Sequence, residues 1–138
     1  MTASPSLPTY ADVLKAAERL KAAAEGLRND AVLRDLALLK AVMVAGPAMD
    51  AAERDRLLAD LSKPGAPFEL LALEQKAVAL IGAGRTEDAV MLIGQIQQKD
   101  GLSEPLRRRL SEMMITLGVE PEPAEGPVPQ TMPAPAAN

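Results

Sequence analysis

The chain has 138 residues, 48% of them apolar, and a formal net charge of −4, which is enough for one domain with a real core and too little to suggest two. It contains no Cys and no His, which excludes thiol chemistry, imidazole acid–base catalysis and most transition-metal sites and leaves only carboxylates for a metal. Glu120, Glu122 and Glu125 lie after Gly118 without a basic residue, so the rest carries about −1, and a nearly neutral body is not a nucleic-acid binder by charge.

The only aromatic residues are Tyr10 and Phe68, and strand-favouring residues are scarce beside Ala, Leu, Glu, Lys, Arg and Met. The expected fold class is all-α. No uncharged apolar run approaches the roughly 20 residues that span a bilayer, and residues 1–8 lack a basic and an apolar leader region, so the chain reads as soluble.

Residues 1–8 form a Ser/Pro segment expected to be disordered. Thr9 with Asp12 is a start signal for a helix to about Glu25, carrying Val13, Leu14, Ala17 and Leu20 at helical spacing. Asn29-Asp30 starts a second, apolar around most of its circumference and interrupted only by Arg34, Asp35 and Lys40. Such a helix should be central, with neighbours on more than one side. Gly46-Pro47 stops it, and a third helix from about Asp50 to Leu61 turns Leu57, Leu58 and Leu61 inward.

Pro67 to Gly101 then reads as a helical hairpin. Pro67 suits the first turn of its first helix, where Leu70, Leu73, Ala77, Leu80 and Ile81 make the apolar face. The break is Gly82-Ala83-Gly84-Arg85, and Thr86 caps the second helix, whose facing stripe is Ala89, Leu92, Ile93 and Ile96. Ser103-Glu104-Pro105 starts a last helix, lined by Leu106, Leu110, Met113, Met114 and Leu117 and ended by Gly118. Residues 119–138 are Pro-rich and expected to be disordered, either a solubilising tail or a ligand for another module. The folded part is therefore 9–118, about six helices.

The breaks at Gly46 and Gly84 are 38 residues apart, close to the roughly 34-residue period of tetratricopeptide repeats. Setting Gly84 at the inter-helix glycine of that repeat puts Ala77 and Ala89 at its small positions and Ile93 at its large apolar one. Leu73 replaces the usual Trp and Gly101 the usual Pro, so the repeat is degenerate. The expected architecture is a tetratricopeptide-like array of antiparallel hairpins.

Four segments carry a further resemblance: Leu33-Arg34-Asp35-Leu36-Ala37, Pro67 through Glu74, Ala83-Gly84-Arg85-Thr86, and Ser103-Glu104-Pro105-Leu106-Arg107-Arg108-Arg109. Together they resemble the ancillary SecYEG translocon subunit family of bacterial tetratricopeptide-like proteins, in its α-proteobacterial form. That resemblance implies an N-terminal membrane anchor, repeats on the periplasmic side of the inner membrane, and association with the Sec translocon and periplasmic chaperones. Here the sequence opens at what looks like the second helix of an earlier repeat, with Tyr10-Ala11-Asp12-Val13 at its motif. This suggests a piece of a longer protein or a shortened relative, or a half-repeat completed by another copy of the chain.

No catalytic, cofactor or metal residues are indicated. Glu87-Asp88 is explained by the helix dipole, and Gly82-Ala83-Gly84 follows a helix and lacks the Lys and hydroxyl partners of a phosphate loop. Glu53 with Asp55 is the other near pair of carboxylates. Arg107, Arg108 and Arg109 point in different directions on a helix, and Met43, Met91, Met113 and Met114 fall at or beside apolar positions. In the repeat register the concave side exposes Leu71, Glu74, Val78 and Ile81, the expected protein-binding residues. The alternative is that the final or the N-terminal helix covers them.

Overall fold

Four of the helices start at a side chain able to accept from the unpaired N–H groups of their first turn. In a computed structural model, which describes residues 7–119, α1 (Tyr10–Glu25) opens on Thr9. The Asp12 N–H donates to Thr9 Oγ1 at 3.2 Å and the Thr9 N–H to the Asp12 carboxylate at 2.9 Å, a reciprocal capping box. α2 (Ala31–Ala45) and α3 (Ala51–Leu61) open on Asp30 and Asp50, and a 3₁₀ turn, Gly46–Ala48, follows α2. α4 (Glu69–Gly82) and α5 (Thr86–Gln97) have no side-chain cap, and α6 (Glu104–Thr116) opens on Ser103. The expected disordered ends, 1–8 and 119–138, fall outside the described residues except for Leu7, Pro8 and Val119.

Two expected starts are displaced. Pro67 lies in the turn before α4, which begins at Glu69, because the Glu69 carboxylate folds back to accept from the Gly65 N–H at 3.0 Å and closes that turn. Thr86 is the first residue of α5 and not its cap. The Arg85 N–H is already taken by the Leu80 carbonyl at 2.9 Å, in a Schellman ending to α4 that needs Gly84 at φ +77°. α6 ends the same way, the Val119 N–H reaching the Met114 carbonyl at 2.9 Å around Gly118.

The fold is all-helical among the described residues, and each helix packs on the next in chain order, most extensively α1 on α2 and then α4 on α5. Such an order of hairpins is consistent with a tetratricopeptide-like array. The Gly46 and Gly84 breaks are nevertheless not equivalent, since α2 packs chiefly against α1 and less against α3. α2 has neighbours on more than one side, as its apolar circumference suggests, but part of that circumference stays open. Val32, Leu33, Met43 and Val44 stay 42–56% exposed, whereas Asp35 is buried and takes two hydrogen bonds from Arg34 at 2.9 and 3.1 Å.

The core is divided into two clusters. Leu39, Ala41, Val42, Leu58 and Leu61 join α2 and α3 to Ala17 of α1 and Ala72 of α4. Ala77 of α4 joins the second, with Ile93, Ile96, Leu106 and Leu110. α4 is thus shared, and Ala77, Ala89 and Ile93, the repeat's packing positions, are all fully buried. Lys21 ties α1 to α3 through Glu53 and also pairs with Glu18 at 2.7 Å. No helix among the described residues is long and apolar enough to cross a membrane.

Ala77→Leu should lower the unfolding free energy by about 1–3 kcal/mol through overpacking, read as a lower urea midpoint at unchanged m-value. A wild-type midpoint would mean the seam has slack. Alkaline stability supplies a second check. Hydrogen bonds to Glu18 and Glu53 hold Lys21 above its ordinary value of 10.5, so its contribution is complete below that pH and is lost as pH rises through the higher folded value. Lys21→Met should flatten this alkaline decline in thermal melts, and an unaltered slope would refute the assignment.

Candidate functional site

α4 is apolar on more than the two sides its core clusters use, so one strip of it is left over. That strip, Gln75, Val78, Ala79, Gly82 and Ala83, forms one wall of an open groove of about 390 Å³. The other wall comes from the end of α2, the 3₁₀ turn and the start of α3: Val42, Gly46, Pro47, Met49, Ala51 and Arg54. Most of the lining is apolar, and its depth follows from small residues, Gly46, Ala51, Ala79, Gly82 and Ala83, where larger ones would fill it.

Arg54 marks the end of this groove. Its side chain is 18% exposed, and its Nε is buried without a hydrogen-bond partner among the described residues; the Asp55 carboxylate is 3.8 Å away. Leaving such a donor unpaired costs about 1–3 kcal/mol. Past Arg54 the groove runs into a second hollow of about 240 Å³, which shares Arg54, Ala79 and Ala83 and adds Asp55, Lys76, Leu80 and Arg85. One end of an apolar channel is therefore cationic.

The four expected binding residues do not share one exposed surface. Val78 is 45% exposed and lines the groove. Leu71 is half-buried against the first core cluster, and Ile81 is half-buried. Glu74 departs most from expectation, being 6% exposed and held by Arg109 of α6 through bonds of 2.6 and 2.9 Å. The final helix covers this carboxylate, and Arg109, though as exposed in class as Arg107 and Arg108, is set apart from them by this ion pair. One acid of each singled-out pair is likewise engaged, Asp88 with Arg85 at 2.7 Å and Glu53 with Lys21. Met43 and Met91 are 56% and 64% exposed, whereas Met113 and Met114 pack on the second cluster.

Sequence reasoning passed over Arg54, Met49, Gln75 and Ala79. For Arg54 a signal existed: it stands four residues before Leu58 and seven before Leu61, on the inward face of α3. Among the described residues no group of three or more acids is placed to hold a metal.

Arg109→Ala should destabilise the fold by about 1–3 kcal/mol, more than Glu74→Gln does, because it strands a buried carboxylate while the glutamine keeps a neutral acceptor. Equal effects in denaturant titrations would mean that the buried charge is not what Arg109 compensates. Comparison with protein-family models, with curated proteins and with solved structures found no match to this chain.

Proposed function

We propose that this chain is a non-catalytic scaffold for protein–protein interaction, holding an apolar peptide segment in the groove between α2, α3 and α4. The observation that carries this reading is the groove itself, about 390 Å³, open, mostly apolar and edged by the exposed Val78. A segment of three or four apolar side chains has the size and chemistry for such a channel. The absence of His and Cys from the sequence removes Ser–His and Cys–His pairs, the commonest nucleophile–base arrangements. Through its sequence resemblance, the partner class is a component of the bacterial Sec translocon or a periplasmic chaperone, with the chain on the periplasmic side of the inner membrane.

Self-association is the second reading, and one observation favours it. Val32, Leu33, Met43 and Val44 recur along one side of α2 at an eleven-residue, three-turn interval and are about half exposed, a stripe that another copy would cover.

Photocrosslinking from Val78 in bacterial envelopes should recover a Sec component or periplasmic chaperone, and Val78→Glu in a chain crosslinked from Met49 should abolish that product. Recovery of neither class sinks the translocon assignment. Light scattering over a concentration series tests the second reading, since a monomer throughout removes it and a dimer broken by Met43→Lys supports it.

A further inference from the structure

The groove is apolar along its length and cationic at one end, where Arg54, Lys76 and Arg85 stand against one lining carboxylate, Asp55. Arg85 is shared with Asp88, but Arg54 Nε has no hydrogen-bond partner among the described residues. An occupant of matching chemistry would carry several carboxylates next to small apolar residues. An extended conformation suits it, because the groove runs between helices on both sides.

The segment after Val119 has this chemistry. It opens with Glu120, Glu122 and Glu125 interleaved with Pro121, Pro123 and Ala124, has no basic residue, and continues with Pro127, Val128, Pro129 and Met132. The register of α6 brings it to the right end of the molecule. Ser103 and Leu106 lie beside Phe68 to Leu71 at the start of α4, and Arg109 sits on Glu74 one turn further along. α6 therefore runs in the same direction as α4, and Gly118 comes level with Gly82 and Ala83, which line the groove. The 19 residues beyond Val119 reach up to roughly 60 Å when extended, several times the width of the intervening helix.

The geometry points to the acidic Pro-rich segment 120–138 as an occupant of this groove, its glutamates at Arg54, Lys76 and Arg85 and its Pro, Val and Met residues along Val78 and Met49. It competes there with the external partner. The inference rests on the groove being a binding surface, and it assigns that surface an occupant within the same chain.

With no cysteine in the sequence, Thr131→Cys supplies a single attachment point for a nitroxide label. In the full chain, methyl signals of Val78, Met49 and Ala83 should broaden while those of Leu39 and Leu110 in the two cores do not. Replacing Glu120, Glu122 and Glu125 together by Gln leaves every helix untouched and should weaken the broadening about threefold or more, the effect expected for three exposed ion pairs. The same variant should raise the Val78 crosslink to the external partner. No selective broadening, or broadening unchanged by the Gln variant, overturns the inference. So does broadening that arises only between copies, read in a mixture of labelled and isotope-enriched chains. Val78→Glu separates the two readings: loss of the external crosslink from Met49 with unchanged tail broadening at Met49 and Ala83 supports the groove as the partner's site and removes this occupant.

Discussion

Among the described residues, eight of the seventeen buried apolar side chains are alanines, and they stand where helices meet. Ala37, Ala41 and Ala45 recur every four residues along α2, Ala17 and Ala24 bury on α1, and Ala72 and Ala77 face opposite clusters from α4. A methyl group lets two helix axes approach closely, so binding between helices here comes from backbone proximity more than from large interlocked side chains. The remaining features follow from that choice. With one Phe, one Tyr and no Trp, there is no bulky residue to fill a gap between helix layers, and the core breaks into two clusters instead of one.

The join between those clusters is α4, and electrostatics sets how it is dressed. A carboxylate buried as deeply as Glu74 is tolerable only with a counter-charge and satisfied oxygens, and the two-pronged guanidinium of Arg109 provides both. Because the fork has one good orientation, it also fixes the register of α6 against α4. The same geometry decides which end of the molecule the chain leaves from after Gly118. Glu74, expected from the sequence to face a partner, is held instead by a side chain of the last helix.

The strip of α4 not used by either cluster is where packing by alanine leaves space. Gly82, Ala83 and Ala79 on one wall and Gly46 and Ala51 on the other leave an open channel, while Arg54, drawn inward by its place on the buried face of α3, brings positive charge to its end. Apolar walls with a charge at one end discriminate by sign as well as by shape.

How much of this was legible depends on whether the cause is local. Capping and periodicity depend on residues within a turn or two, so the six helices, their order and most boundaries could be read from Thr9, Asp30, Asp50, Ser103, Gly84 and Gly118. The shifts at Pro67 and Thr86 show the limit, since each start was displaced by a hydrogen bond from a neighbouring turn. Burial of Glu74, exposure of α2's Val32 and Met43, and the convergence of Val78 with Arg54 depend on residues tens of positions apart, whose relative placement no periodicity encodes. The sequence by itself determined the helices and the small-residue seams, because backbone hydrogen bonding and side-chain size are properties of the local chain. Only the tertiary structure decided which apolar face found a partner and which stayed open, because that depends on how the helices share a limited supply of large side chains.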